Sequence, residues 1–231
     1  MNSLHTDRVS KLLATLHDEA EHADREMIEG LKREAATSGM GLDKMVGKIL
    51  EKERSAYQSM SQGNAERFLA VSAECGRFLY MLARSIKAAR IIEFGTSMGV
   101  STVYLAAALR DNGGGHLIGS DLIPSKCARA RANVEAAGLS DLVELREGDA
   151  LQTLADTGGK VDMLLLDGAF SLYLPVLKML EPTLRPGALI FGENAFDPAY
   201  LAYVRDPANG YVSEPVTLGQ SRGNELTLRT T

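Results

Sequence analysis

The residues best suited to chemistry lie where short apolar segments of the chain end. In chain order they are Gly95, Asp121, Asp149, Asp167 and the adjacent pair Glu193 and Asn194. Carboxylate and amide oxygens accept hydrogen bonds from the hydroxyl and amino groups of a ligand, and they also suit a hard cation. Glycine lets the backbone turn tightly and lets a ligand come close. A polar ligand site assembled from successive segment ends is therefore predicted.

The apolar segments are predicted to be strands separated by helices. Strands are expected at 89–94, 116–120, 142–146, 161–166 and 188–191, and helices at 66–84, 102–109, 125–137 and 172–180. This alternation is typical of a parallel sheet with helices on both faces, in which the parallel strands all end at one edge. Two further strands, at 211–218 and 226–229, are expected to flank a turn near the end of the chain.

The first 63 residues differ from the rest of the chain in their pattern of apolar and charged residues. Apolar residues recur there at helical spacing among charged ones. One helix is expected to break at Thr37, Ser38, Gly39 and Gly41, before a second helix at 42–57. We predict a helical cap or dimerisation region at 1–63 and a ligand-binding domain at 64–231. The helices could cap the site or simply cover an apolar face of the main domain, and the pattern favours neither.

Composition limits the classes of function. The chain has 231 residues, a formal net charge of −5 and 45% hydrophobic residues, which fits one α/β domain with an appendage. The acidic balance argues against a large nucleic-acid substrate. No leader-like segment and no apolar run of membrane-spanning length is visible, so we expect a cytoplasmic enzyme with no membrane partner. Cys75 and Cys127 are expected to be reduced core thiols.

The stretch 91–102, IIEFGTSMGVST, is the most informative. It predicts a buried strand, a glycine turn and the start of a helix, where unpaired N–H groups can hold an anionic group. Ser101 and Thr102 can add hydroxyl donors. The spacing of Gly95 and Gly99 is not the G-x-G-x-x-G pattern of dinucleotide-binding enzymes, so a pyrophosphate is not the obvious ligand.

Two of the acids are suited to a nucleoside. Asp121 could accept hydrogen bonds from both hydroxyls of a ribose, or it could instead cap the helix that follows Pro124. Asp149 could accept a hydrogen bond from the exocyclic amine of an adenine.

Several segments resemble the catechol and caffeoyl-CoA type O-methyltransferases. They are AVSAECGRFLYML, EFGTSMGVST, SDLIPSKCARARANVEAAGLSDLVELREGDAL, VDMLLLDGAFSLYLPVL and LRPGALIFGENA. The resemblance runs from residue 68 to the C-terminus and implies a class I S-adenosylmethionine-dependent methyltransferase. It implies a Rossmann-like α/β fold: a seven-stranded, mostly parallel sheet with its last strand antiparallel, helices on both faces and an N-terminal helical extension. A homodimer is expected because family members are often dimers.

By the same resemblance, residues are assigned to parts of the cofactor. The methionine part would be surrounded by Val71, Ser72, Glu93, Gly95, Thr96, Ser97, Gly99 and Ser101. Asp121 would hold the ribose, Asp149 and Ala150 the adenine, and Asp167 would lie near the reactive sulfonium.

The acceptor side departs from the family pattern. Metal-dependent members bind Mg²⁺ through an Asp after the fourth strand and an Asp-Asn pair after the fifth, and these positions are Asp167, Glu193 and Asn194 here. The family's catalytic lysine is replaced by Phe170. In one interpretation the three oxygen ligands still bind metal and an acidic acceptor makes the lysine dispensable. In the other, which we favour slightly, no metal binds and Phe170 is a wall of the substrate pocket, beside Tyr173.

The predicted function is methyl transfer from S-adenosylmethionine to a small molecule, and the expected substrates are hydroxylated or amine-bearing molecules of secondary metabolism. Oxygen is the acceptor that the family implies, and nitrogen or carbon are alternatives. Asp167, Glu193 and Asn194 are the candidate catalytic residues. Two rivals are a nicotinamide-dependent oxidoreductase, against which the missing dinucleotide pattern counts, and a cofactor-binding protein that has lost its activity, as the replaced lysine would allow.

Overall fold

The computed structural model describes residues 2–38, 42–219 and 221–231. Its strands are β1 (Arg90–Phe94), β2 (His116–Asp121), β3 (Val143–Glu147), β4 (Val161–Leu166), β5 (Leu184–Gly192), β6 (Tyr211–Leu218) and β7 (Ser221–Arg229). They form one seven-stranded sheet in the order β3-β2-β1-β4-β5-β7-β6. Strands β1 to β5 run parallel, and β7 is antiparallel to both of its neighbours. The predicted sheet is confirmed, including its antiparallel last strand.

Helices cover both faces of the sheet. They are α1 (Asp7–Ser38), α2 (Leu42–Gly63), α3 (Ala73–Ser85), α4 (Val100–Asp111), α5 (Pro124–Ala137), α6 (Ala150–Thr153), α7 (Tyr173–Leu180) and α8 (Pro198–Arg205). Neighbouring residues of one strand enter opposite cores: Ile91 packs among residues of α3 and α4, whereas Ile92 packs among residues of α7. The alternation follows from the two-residue period of a strand, and it explains why β1 carries apolar residues on both of its faces.

The predicted start of one helix was wrong. The helix expected from residue 66 begins at Ala73, after Ser72, whose hydroxyl accepts a 3.1 Å hydrogen bond from the N–H of Cys75. The residues before it are held outside a helix because Asp24 of α1 accepts the N–H groups of Phe68 and Leu69 at 3.0 and 2.7 Å. This long-range contact overrides the local helical pattern.

The N-terminal region was predicted correctly in type. It is helical, although Thr37 and Ser38 belong to α1 instead of breaking it. Gly39 and Gly41 lie outside the described residues. Helix α8, by contrast, was not predicted. Cys75 and Cys127 are buried and free, as expected, and no helix in the described ranges is both long and apolar enough to span a bilayer.

Candidate active site

The site lies where the strand order reverses between β1 and β4. Gly95 follows β1 and Asp167 follows β4, so their backbones meet at the carboxyl edge of the sheet. Gly95 has φ +95°, and a Cβ built on it would collide with the carbonyl oxygen of Asp167. Only glycine meets both requirements, and the turn therefore leaves a crevice at the position where α/β sheets bind ligands.

Two cavities meet at Gly95. The larger encloses about 420 Å³, counting its open mouth, and its lining includes Tyr57, Ser61, Gly95, Asp121, Gly148, Asp149, Ala150 and Leu172. The smaller encloses about 200 Å³, and its lining includes Phe68, Val71, Gly95, Thr96, Ser97, Ser101 and Asp167. The structure thus brings the residues predicted for the nucleoside to one cavity and most of those predicted for the methionine part to the other.

Glu93 lies beneath the glycine turn and not on the cavity wall. Its side chain is fully buried, and its carboxylate accepts hydrogen bonds from the hydroxyls of Thr96, Ser101 and Thr102 at 2.9, 2.7 and 2.6 Å. Burial raises the pKa of Glu93, while the three hydroxyl donors act in the opposite direction. Glu93 therefore ties the turn to the start of α4, and its effect on a ligand is through the shape of that turn.

Asp121 and Asp149 each hold main chain near the larger cavity. The Asp121 carboxylate accepts the N–H groups of Ser97 and Ile123 at 2.8 and 2.9 Å. Asp149 caps α6 through the N–H of Leu151 at 3.0 Å. A carboxylate offers about four lone-pair positions, so both acids retain acceptor capacity toward a ligand. The alternative interpretation, in which Asp121 caps the helix that follows Pro124, was wrong: the N-cap of α5 is Ile123, and no side chain in the described ranges caps that helix.

The remaining predicted cofactor residues shape the site in different ways. Val71 is buried on the wall of the smaller cavity, and Ser72 caps α3. Gly99 has φ +84° directly before α4, and a Cβ there would press on Ala130 of α5. Ala150 is the buried first residue of α6.

Lys126 lies beside the site, and sequence reasoning missed it. Its ammonium donates a 3.1 Å hydrogen bond to the hydroxyl of Ser97, and the residue is buried. Burial lowers the pKa of Lys126, and the charges of Asp121, Asp24 and Asp167 counteract that effect. One local feature could have drawn attention to it: a cation in the first turn of a helix opposes the helix dipole.

The acceptor-side acids lie close enough to influence each other. Burial raises the pKa of Asp167 well above its usual range, and the nearby charges of Glu193 and Glu93 raise it further. Glu193 is buried, and Asn194, with φ +49°, donates from its side-chain amide to the Glu193 carboxylate. The described residues contain no cluster of three or more His, Cys, Asp or Glu that could hold a metal. Two carboxylates and an amide oxygen nevertheless form a donor set whose chemistry fits Mg²⁺.

An aromatic cluster stands beside these acids. The ring of Phe170 meets Tyr173 and Phe196 edge to face, with centroids 6.0 and 5.7 Å apart. Phe170 and Phe196 are partly exposed, whereas Tyr173 is fully buried and donates a 2.5 Å hydrogen bond to the carbonyl oxygen of Glu193. Tyr173 was predicted to line the substrate pocket, but it has no exposed surface and instead packs against Phe170. Phe196, which contacts the other side of this cluster through Phe170, was not predicted.

Helix α2 crosses the carboxyl edge of the sheet. Its Tyr57 contacts Asp149 at the larger cavity, and the carboxylate of its Glu53 accepts the N–H of Ser171 at 2.9 Å, next to Phe170. The helix bends at Ala56, between these two contacts. Of the two interpretations left open for the N-terminal region, these contacts support capping of the site for α2.

The polar groups at the two cavities are complementary to those of S-adenosylmethionine. Carboxylates at the larger cavity suit the hydroxyls and amine of an adenosine, and hydroxyls with a helix start at the smaller cavity suit the amino-acid part. Residues 92–195 match a family model described as a methyltransferase domain. The O-methyltransferase TomG from Streptomyces achromogenes, solved in complex with SAM, is 26% identical with a TM-score of 0.63, over 77% of this chain and 91% of TomG.

Curated relatives point the same way. A catechol O-methyltransferase from Niastella koreensis is 32% identical over 160 residues, which cover 66% of this chain and 72% of that relative. One from Mycobacterium tuberculosis is 35% identical over 127 residues, 54% of this chain and 57% of that relative. These matches set aside the nicotinamide-dependent oxidoreductase. The chain belongs to the class I S-adenosylmethionine-dependent methyltransferases, in the catechol and caffeoyl-CoA O-methyltransferase family, whose members act on small molecules.

Proposed function

We propose that this enzyme methylates a hydroxyl group on a small aromatic molecule. The observation that carries the proposal is the position of Phe170 and Phe196, whose partly exposed rings stand beside the acids at the ends of β4 and β5. Aromatic rings favour offset or edge-to-face contact with another ring, so this wall suits a planar acceptor. The names of the relatives, catechol and caffeoyl-CoA O-methyltransferases, support an oxygen acceptor.

The cofactor end of the site would bind and orient the methyl donor. When bound, S-adenosylmethionine supplies an electrophilic methyl group on a sulfonium. Asp121 would accept the ribose hydroxyls, and Asp149 the adenine amine. Asp167, which lines the smaller cavity, would face the positive charge of the sulfonium. With the donor held this way, the chain must align the acceptor oxygen with the methyl group, exclude water and provide a base for the hydroxyl proton.

The acceptor end would be formed by Asp167, Glu193 and Asn194. In the metal-free version that we favour, their oxygens would orient the acceptor hydroxyl by hydrogen bonds, and one of the two carboxylates would take its proton as the O–methyl bond forms and the S–methyl bond breaks. The amide contact between Asn194 and Glu193 supports this version, because it already satisfies part of the Glu193 carboxylate. In the alternative, the same three residues would hold Mg²⁺, which would lower the pKa of an acceptor hydroxyl.

Calorimetric titration with S-adenosylhomocysteine tests the proposal. The protein is first stripped with a chelator and then titrated with and without Mg²⁺. Tight binding that is independent of Mg²⁺ is expected, and failure to bind the nucleoside would refute the proposal. A separate heat of metal binding that disappears in Asp167→Ala, Asn194→Ala would support the Mg²⁺ version. Turnover is then measured on matched phenols, anilines and aliphatic alcohols, and a preference for anilines or alcohols would contradict the proposed acceptor.

We further propose that the enzyme is a cytoplasmic homodimer that acts in secondary metabolism. Residues 1–63 would form the cap or dimerisation region, and residues 64–231 the methyltransferase domain. Light scattering after size exclusion tests the dimer. Cofactor binding without turnover on the whole panel would instead support the protein that has lost its activity.

A further inference from the structure

Lys126 is the one buried lysine or arginine among the residues that the structure describes, with 5% of its surface exposed. Burying an ammonium is costly unless other groups compensate for its lost hydration. Its position in the first turn of α5 adds to that cost, because the N-terminal end of a helix carries partial positive charge. The fold therefore keeps the charged Lys126 at an energetically unfavourable position, and neighbouring groups must compensate for that cost.

The surroundings of Lys126 compensate for its charge only at a distance. Carboxylates face it from three elements, Asp24 of α1, Asp121 at the end of β2 and Asp167 after β4. Within the described ranges none of them forms an ion pair with it inside 4.0 Å, and its hydrogen bond goes to Ser97. Asp24 and Asp121 each accept two main-chain N–H groups instead. An ammonium has three donors, so two remain available to a ligand.

The hydrogen bond to Ser97 links the ammonium to a residue that lines the smaller cavity. Ser97 lines that cavity together with Val71 and Ser101. Its hydroxyl donates its proton to the carbonyl oxygen of Phe68 at 2.6 Å and therefore acts as an acceptor toward Lys126. The ammonium is thus hydrogen-bonded to a residue that lines the space predicted for the methionine part of the cofactor.

The charges of the ligand and the site indicate which group the ammonium would recognise. S-adenosylmethionine carries one full negative charge, on the carboxylate of its methionine part, whereas the nearby acids Glu93, Asp121 and Asp167 would repel that group. We infer that Lys126 is a positioning residue that recognises this carboxylate, an inference that rests on the proposed function. Its positive charge would offset the acids and fix the amino-acid end of the donor.

The test compares two ligands on matched variants. S-adenosylhomocysteine contains the carboxylate, and 5′-methylthioadenosine contains the nucleoside without the amino-acid end. The variant Lys126→Met removes the charge and keeps an unbranched apolar side chain. The control is Lys160→Met, because Lys160 is exposed and donates to the carbonyl oxygen of Pro182, away from the site. Affinities are measured by calorimetry, and folding by circular dichroism.

We expect Lys126→Met to weaken S-adenosylhomocysteine binding by about 10- to 100-fold, the range of a lost charge-assisted hydrogen bond. Binding of 5′-methylthioadenosine should change by less than about threefold, since a partner of the carboxylate has no contact with it. Lys160→Met should bind both ligands like the unmodified protein. An equal loss for both ligands would assign Lys126 to the nucleoside or the fold, and no loss for either would remove it from the site; each result overturns the inference.

A second measurement needs no variant and covers the case in which Lys126→Met fails to fold. The unmodified protein is titrated with S-adenosylhomocysteine and with its carboxamide, which lacks the negative charge. Weaker binding of the carboxamide is expected, and equal binding would overturn the inference. If the unmodified protein binds none of these nucleosides, the proposed function itself fails, and that result is distinct from a failure of the inference.

Discussion

The hydroxyl of Tyr57, on α2, donates a 2.6 Å hydrogen bond to the carboxylate of Asp149, beyond the end of β3. The two residues are far apart in sequence, and their contact joins α2 to the cavity that is proposed to hold the nucleoside. The bond is with a charged acceptor, and it raises the pKa of Tyr57. A ligand amine at Asp149 would share that carboxylate with Tyr57, so α2 and the cofactor are expected to influence each other.

Replacing Tyr57→Phe should loosen α2. The variant loses one hydrogen bond to a carboxylate, worth about 1 kcal/mol at this partly exposed position, and α2 amides should exchange with solvent several-fold faster. Hydrogen exchange followed by mass spectrometry measures this at 42–63. Tyr203→Phe is the matched control, since Tyr203 also donates to a carboxylate, that of Glu181, away from the site. Unchanged exchange in α2 would mean that the Tyr57 contact contributes nothing to its docking.

Replacing Asp121→Ala should weaken binding of S-adenosylhomocysteine. Loss of two charge-assisted hydrogen bonds to a ribose costs on the order of 2–4 kcal/mol. Asp156→Ala is the control, because Asp156, like Asp121, accepts the N–H of the residue two positions later, in this case Gly158. Calorimetry on both variants separates the effects. If Asp121→Ala keeps its affinity, Asp121 only holds main chain and the predicted site is displaced.

Replacing Glu93→Gln should lower the free energy of unfolding. A glutamine amide cannot accept all three hydroxyl hydrogen bonds that Glu93 receives, and a mismatched buried group costs about 1–3 kcal/mol. Urea unfolding monitored by circular dichroism measures the change. Glu144→Gln, a glutamate on β3 whose side chain is 44% exposed, should cost less. Equal stability of the two variants would argue against a structural role for Glu93.

Asp162 should make stability dependent on pH in the acid range. Its burial raises its pKa, but the N–H groups of Ala89 and Arg90 and the guanidinium of Arg185 outweigh that effect and hold the pKa below its usual value. A lowered pKa stabilises the fold above the unfolded value of about 3.9, and this contribution is lost as the pH falls through the folded value.

Urea unfolding at several pH values checks the role of Asp162. At pH 7, Asp162→Asn should lose about 1–2 kcal/mol, and the difference from the unmodified protein should shrink below about pH 4. Asp141→Asn, which removes a surface partner of Arg110, should lose less at pH 7. A difference for Asp162→Asn that does not change with pH would show that its ionisation is not involved.

Replacing Phe170→Ala should impair the acceptor and spare the cofactor. The variant loses two edge-to-face contacts, each worth about 0.5–1.5 kcal/mol, and part of the pocket wall. We expect a several-fold higher KM for an aromatic acceptor with little change in affinity for S-adenosylhomocysteine. Phe170→Leu keeps apolar volume but no ring and separates the two contributions. An unchanged KM in both variants would place the acceptor elsewhere.

Sequence patterns predicted the fold well because each strand and helix has its own period and its own stop. The strand at 161–166 was predicted with the bounds of β4, since apolar residues fill both faces and Asp167 ends it. The helix predicted from 66 started too early, because the carboxylate that captures Phe68 and Leu69 belongs to Asp24, on another helix. The periodicity of a sequence does not indicate a hydrogen-bond partner that lies on a distant helix.

The site was predictable where it is made by strand ends and obscure where distant elements meet. Topology alone brings Gly95 and Asp167 together, because β1 and β4 are neighbours. Tyr57, Lys126 and Phe196 lie on two helices and a loop. No short-range spacing in the sequence predicts that these three residues come close to the strand ends. Their roles depend on tertiary contacts, which one sequence without its structure does not reveal.

Gly95 and the carbonyl of Asp167 meet through main chain, and a point mutation changes a side chain but leaves the main-chain atoms in place. The donor half of the crevice is built at this place from main chain, which no change at position 167 can move out of the way. The acceptor half is built from side chains such as Phe170 and Glu193, each replaceable without disturbing a strand. Divergence, whether natural or in the laboratory, is therefore expected to change which molecule receives the methyl group long before it changes which molecule gives it.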